Sequence, residues 1–313
     1  EFLILGVIIA ALTVYLFQRS GDRTRYTLPG VPALAASDIT KIEISHAGQS
    51  VVLVRKDGRW LIDAPGVAAA PKSVQEMLDA LTGLTLTALV AESQNYSLYE
   101  LDDEHKIHVR AWQDDRLRRE LDIGKTAPSY RHTFVRLAGD NRVYHARDNF
   151  RFRFTGGPEE LRDKTVLAFK QPDITEVRIT SGNTEAAFTR DKTAEPGAPT
   201  PGAAGLWKGP AGAAVNAARL NALIAALSDL TCEKFIPDRG KESFGRPIFS
   251  VTLMGDKEHS LSIFAPSGTD GGGHPAVSSA SDSPFVLSEE QAKTIMPDPG
   301  ELLETGGKKE EKK

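Results

Sequence analysis

His105 and His108, three residues apart in HKIHVRAW, are side chains of metal-binding type close together in sequence. On a helix that spacing would put both imidazoles on one face. This stretch instead alternates apolar and polar residues as a strand does, and strand residues i and i+3 point to opposite faces. A shared metal is therefore disfavoured. Just upstream, Glu100, Asp102, Asp103 and Glu104 offer carboxylates, but Leu101 interrupts them and no glycine supplies the sharp turn of a calcium loop. A solvated loop is expected. Cys232 is the one cysteine, which excludes an internal disulfide and a multi-thiolate metal site, and in LSDLTCEKFI it reads as a buried, inert thiol. His132 and His145 fall on successive strands, where they can face each other, but nothing in the sequence requires it. The chain has no GxxxxGK[ST], no GxGxxG after a strand, no GxSxG and no HExxH. No catalytic residue, metal or cofactor is expected.

One charge bias is left. From Arg110 to Arg153 there are eleven Lys/Arg against six Asp/Glu, and the stretch ends in NFRFRF. Interleaved Arg and Phe can stack on bases or sugars; outside the cytoplasm the fitting partner is an acidic protein or a lipid head-group surface. The competing reading is strand-like alternation, with Phe150, Phe152 and Phe154 turned to the core and Arg151 and Arg153 left in water. Arg147, Phe150, Arg151, Phe152 and Arg153 form the candidate partner-binding patch. Arg162, Lys164 and Lys170, in LRDKTVLAFKQPD, form a candidate surface between two halves of the chain. The net charge of −4 over 313 residues gives no case for nucleic acid.

The elements that must carry these residues are written twice. DITKIEIS at 38–45 returns as DITEVRIT at 173–180. Strands SVVLVRK and RWLI, joined through an Asp-Gly hairpin signal, follow the first copy. A helix then opens behind Pro71, with Val74, Met77, Leu78, Leu81 and Leu84 on one stripe. TLTALV, HKIHVRAWQ, RLRRELDIG, HTFVRLA and RVYHA read as further strands. In the second copy EAAFTR, a tryptophan at 207 in the place of Trp60, and a helix over 217–230 repeat the order. MLDALTGLTLTALV at 77–90 aligns with LIAALSDLTCEKFI at 223–236 without a gap. The offset between copies grows because KTAEPGAPTPGAAG is inserted in the second, which reads as a surface loop. The fold class expected is α+β: two tandem, duplicated antiparallel-sheet-plus-helix domains, over 38–169 and 170–304, with a disordered charged tail over 305–313. The composition, 40% apolar and 26% charged, is enough for two cores.

Ahead of them FLILGVIIAALTVYLF, residues 2–17, has no charge. Its eleven Leu, Ile, Val and Phe each favour insertion, by about 5 kcal/mol together. Ala33-Leu34-Ala35, the one small-x-small cleavage candidate, lies too far downstream. An uncleaved transmembrane anchor over 1–18 and a linker over 19–37 are expected, although Arg19, Arg23 and Arg25 lean against export of the following region.

The sequence ITKI at the first strand, the Trp before a Pro-flanked helix, ESQNYSLYELDDE before a long strand, HTFVRLAGDNRVYHA and LRDKTVLAF together resemble the domain-of-unknown-function 4340 family. The resemblance covers 38–169 well and 173–300 more weakly, as a degenerate second copy. YELDDE departs from the tight turn expected before a proline, whereas FGRP at 244–247 keeps its Gly and Pro. The resemblance implies a single N-terminal membrane helix, a periplasmic C-terminal region, and association with an ABC-type transport or gliding-motility-like envelope system. It carries over no catalytic residue. The expected role is a bacterial inner-membrane accessory or scaffold protein with lipid and protein partners. An envelope hydrolase and a small-ligand-binding module are the alternatives.

Overall fold

The computed structural model describes Thr13 and residues 26–64, 66–190, 207–237, 239–266 and 272–304. The anchor expected over 2–17, Thr13 apart, lies outside them, as do the insertion over 192–205 and the tail over 305–313. Among the described residues no helix is long and apolar enough to cross a membrane. The architecture is α+β, mostly antiparallel sheet, and it divides into two compact units at Asp163/Lys164.

The first unit runs through β1 (Lys41–His46), β2 (Gln49–Lys56), β3 (Arg59–Ile62), β4 (Val67–Ala68), α1 (Pro71–Thr82), β5 (Leu86–Ala91), β6 (Ile107–Gln113), β7 (Arg116–Thr126), β8 (His132–Leu137) and β9 (Val143–Arg147). The strands form one sheet in the order β4-β3-β2-β1-β6-β7-β8-β9-β5. Alternation decides which face is which: Ile42, Ile44, Val109, Ala111, Leu121 and Ile123 are buried, and their neighbours point away. The β2–β3 turn is Asp57-Gly58, with φ of 50° and 77°, the two positive values a type I′ turn requires. Pro71 stands at the first position of α1, whose Val74, Met77, Leu78, Ala80 and Leu81 are buried. Gly83 caps the helix, its N–H donating to Asp79 O, and a Cβ there would come within 2.9 Å of that same carbonyl.

Arg119 lies in this apolar layer, only 6% exposed. Its guanidinium donates to the carbonyls of Leu81, in the last turn of α1, and Pro32, in the lead before β1. Leu28, Val31 and Leu34 of that lead pack on the same core. The unit closes with a short helix α2 (Pro158–Leu161), after which the chain returns to the start of α1: Ala70 N–H donates to Leu161 O at 2.8 Å, and Asp163 N–H to Ala68 O at 2.8 Å.

The second unit contains β10 (Thr165–Ala168), β11 (Glu176–Ser181), β12 (Thr184–Arg190), β13 (Trp207–Lys208), α3 (Ala217–Leu227), β14 (Asp229–Thr231), β15 (Lys234–Phe235), β16 (Phe249–Met254), β17 (Glu258–Ile263), β18 (His274–Ser278), β19 (Phe285–Leu287) and α4 (Glu289–Ile295). Its main sheet has the order β13-β12-β11-β16-β17-β18-β19-β15, and β10 pairs separately with β14. The helix expected over 217–230 stops at Leu227. Residues 229–231 leave it because they pair with β10, burying Leu230. A 3-10 turn, Pro299–Leu302, ends the unit, and Asn216 N–H donates to Leu302 O at 2.8 Å while Glu304 N–H donates to Ala214 O at 2.9 Å. PEEL at 158–161 and PGEL at 299–302 thus pin the start of α1 and α3 by the same pair of backbone bonds. Cys232 is buried, 5% exposed.

Candidate functional site

The residues pointing away from α1 in the first sheet form rows across four strands. Register sets Ser45 opposite His108, His108 opposite Asp122, and Asp122 opposite Arg136. A second row sets Glu43 opposite Arg110 and Arg110 opposite Glu120. Directly opposed charges on one sheet face attract across about 5 Å between Cβ atoms; Glu43–Arg110 and Asp122–Arg136 close directly, and Glu120 closes on the diagonal to His108. His108 Nδ1 lies 2.7 Å from Asp122 Oδ1 and its Nε2 lies 3.2 Å from Glu120 Oε1. Arg136 Nε donates to Asp122 Oδ2 at 3.0 Å, and Lys106 Nζ stands 3.9 Å from the same oxygen. Arg110 Nη2 is 2.8 Å from Glu43 Oε2, with Lys41 Nζ 2.9 Å from Oε1. Burial alone would raise the Glu43 carboxyl, but Lys41 and Arg110 outweigh it and hold the group below the usual carboxylate range. Lys41 also sits over the Trp112 ring, 4.3 Å from its centre.

Asp122 is 5% exposed, the one buried carboxylate among the described residues. It forms the floor of an open cavity of about 260 Å3 walled by Lys106, His108, Glu120, Arg136 and the Gly139–Asn141 turn. Its oxygens are committed to Arg136 and His108, so the arrangement is an ion-paired surface. The other carboxylates that line the cavity are also paired, Glu120 with His108 at 3.2 Å and Asp140 with Arg142 at 2.8 Å. At the end of the sheet, His132 and His145 do stack, 5.2 Å apart, and Phe134 meets His145 at 4.8 Å. Burial, with His132 second, pushes the His145 imidazole below its ordinary value.

NFRFRF does not alternate. Residues 151–154 are a 3-10 turn, and with three residues per turn Arg151 and Phe154 share a side. Phe150 and Phe154 are buried, but Phe152 is 59% exposed. Arg151, expected in water, donates to the carbonyls of Ile123 at 2.9 Å and His105 at 2.6 Å. Arg153 donates to Glu76 O at 3.2 Å and stands over the Phe152 ring. Of the five residues of the expected patch, Phe150 is therefore removed from the surface, Arg151 and Arg153 are spent on backbone carbonyls, and Phe152 and Arg147 stay outward. Arg162 bridges to Ala69, Lys164 Nζ donates to Glu233 O at 2.9 Å, and Lys170 is exposed.

The HKIH pair is split: His105 belongs to the turn before β6 and binds Asp102 at 2.7 Å. Asp102, Glu104 and His105 bring one ligand-type atom each within 4.8 Å of the others. Asp102 is turned into its own loop, accepting also from Glu104 N–H at 3.2 Å, so these groups build the turn.

Sequence reasoning missed the rows on the open face because alternation gives the face of each residue but not its cross-strand neighbour. It also missed a groove of about 330 Å3 between α1 and the β2–β3 hairpin, walled by Arg55, Trp60, Pro71, Val74, Gln75 and Leu78.

Among known families, the model described as domain of unknown function (DUF4340) matches residues 60–247, more than half of the chain and across the boundary between the units. Comparison with curated proteins and with solved structures returns no match.

Proposed function

Because this chain belongs to the DUF4340 family, a domain of unknown function, we propose from its own surfaces that it is a non-enzymatic accessory or scaffold protein. In this reading Phe2–Phe17 anchors it in a bacterial inner membrane and the two units stand in the periplasm, holding protein partners of an ABC-type transport or gliding-motility-like system. One observation carries the reading: the open sheet face of the first unit is a broad array of cross-strand ion pairs, with its buried carboxylate already bound by Arg136 and His108. Such a face suits recognition by charge pattern, which favours specificity and encounter rate. A hydrolase would need a second, uncommitted carboxylate.

The finer reading of the architecture belongs to the same proposal. The units are tandem copies of one plan, supported by their matching strand orders and by the PEEL and PGEL turns that close them. The test is affinity purification of the tagged chain from its native membrane in mild detergent, with co-purifying chains identified by mass spectrometry. An ATPase and a permease that are lost on deleting residues 1–20 or on reversing Arg136 and Arg110 to Glu are the expected result. A chain that purifies alone overturns it.

A further inference from the structure

An arginine, a tryptophan and a side-chain amide stand at matching places in each unit, in two different states. Arg55 pairs with Trp60 across the β2–β3 ladder, and Arg190 pairs with Trp207 across β12–β13. Each arginine also reaches back to a carbonyl before the first strand, Arg55 to Ser37 O at 3.1 Å and Arg190 to Pro172 O at 3.4 Å. The third member is an amide at the fifth position of the following helix, Gln75 in α1 and Asn221 in α3, each after a buried Val74 or Leu220.

In the second unit the set is closed. Trp207 is 5% exposed, its Nε1 donates to Asn221 Oδ1 at 3.1 Å, and the Arg190 guanidinium lies 4.8 Å from the ring centre. In the first unit it is open. Gln75 instead donates to Asp79 Oδ1 at 2.8 Å, one helical turn on. The residue one turn on from Asn221 is Ala225, which has no acceptor, so the Asn221 amide is left for the indole. Trp60 is only half-buried, no acceptor meets its Nε1 among the described residues, and the groove of about 330 Å3 remains beside it.

We propose that this groove binds an extended peptide of a partner protein, one that combines an apolar side chain with an acidic residue. The occupant's chemistry is read from what closes the second unit and from what lines the first. An amide carbonyl takes the indole N–H in the closed set, and a peptide carbonyl supplies the same acceptor to Trp60 Nε1. The apolar side chain lies on Trp60, Val74 and Leu78, and the carboxylate meets Arg55. This inference deepens the scaffold reading and rests on it, giving the first unit a peptide-holding role that the second unit has closed off.

The test pans a random dodecapeptide phage library on the full-length chain in detergent, followed by titration of the enriched peptides in synthetic form. Enrichment of apolar-plus-acidic sequences is expected, with affinity falling at least about tenfold in Trp60→Ala. The double variant Gln75→Asn with Asp79→Ala copies the closed set and keeps Trp60; it is expected to lose binding equally while its melting temperature stays near that of the wild type. Enriched peptides that bind both variants as well as wild type overturn the proposal, as does an absence of enrichment. A fluorescence response to chito-oligosaccharide that depends on Trp60, with none to peptide, overturns it in favour of a glycan site. Partners that co-purify with wild type and Trp60→Ala alike overturn the groove and leave the scaffold reading standing. A chain that purifies alone but enriches Trp60-dependent peptides does the reverse.

Discussion

Superposing the two sheets by register sets their outer faces side by side, strand for strand. Where the first unit reads Ser45, His108, Asp122 and Arg136, the second reads Thr180, Ser250, Ser262 and Val277. Where His108 and Asp122 meet at 2.7 Å through a hydrogen bond, Ser250 and Ser262 share a hydroxyl bond of 3.2 Å. At the register positions of Arg110 and Glu120 the second unit has Thr252 and Ser260. Both faces are largely polar, with Val277 the apolar member of the second row. They differ in field: one carries charged pairs across four strands that a partner can read at a distance, the other hydroxyls along its central row, with one ion pair, Arg178–Glu176 at 2.6 Å, confined to β11. The grooves differ in the opposite sense, closed in the second unit and open in the first. The first unit is thus the more charged and has the open groove, and the second is richer in hydroxyls and has its tryptophan covered.

The largest effect that tests this contrast is at the tryptophans. Trp207→Ala removes a buried, hydrogen-bonded ring and is expected to cost about 3–5 kcal/mol in urea unfolding followed by circular dichroism. Trp60→Ala, at the open groove, is expected to cost about 1 kcal/mol; equal losses would break the comparison. Next comes the buried carboxylate. Asp122→Ala leaves Arg136 and His108 without their shared acceptor and is expected to cost about 3 kcal/mol, whereas Ser262→Ala, its register counterpart, should cost about 1 kcal/mol or less.

Two smaller effects follow pH. Bonds from the Arg142 side chain, working against burial, hold the Asp140 carboxyl far below its usual range. A depressed carboxylate contributes stability above its unfolded value of about 3.9 and loses it as pH falls through the folded value. Asp140→Asn should flatten the acid limb of the stability curve below about pH 4. His145 is depressed by burial, so the unfolded chain takes up its proton first and stability falls as pH drops through about 6.5. His145→Gln is expected to remove that loss, read as unfolding midpoints between about pH 7.5 and 5.5; an unchanged slope would place the titration elsewhere.

Much of the fold was legible because its causes are local. Alternation in ITKIEIS and SVVLVRK, Asp57-Gly58 at a hairpin, and Pro71 ahead of an apolar stripe each act within a few residues. The α3 boundary was misread because Leu230 fits a helical stripe as well as a strand, and only β10, over sixty residues upstream, decides between them. NFRFRF was misread for a related reason: period-two lettering is shared by a strand and by a 3-10 turn with one outward phenylalanine. The candidate surfaces were the least legible. Cross-strand rows depend on register, and the state of the Trp60 groove depends on whether an amide finds an aspartate or an alanine one turn along its own helix.

Arg119 gives the first unit a mechanical property. One guanidinium splices the lead at Pro32 to the end of α1 at Leu81, so two stretches of chain some fifty residues apart are tied at one point. Tension applied along the lead from Tyr26 is not delivered to β1 alone; it is divided at Pro32 between the main chain and the helix. Peeling the sheet strand by strand from its N-terminal end would require breaking that splice as well as lifting Leu28, Val31 and Leu34 off the core.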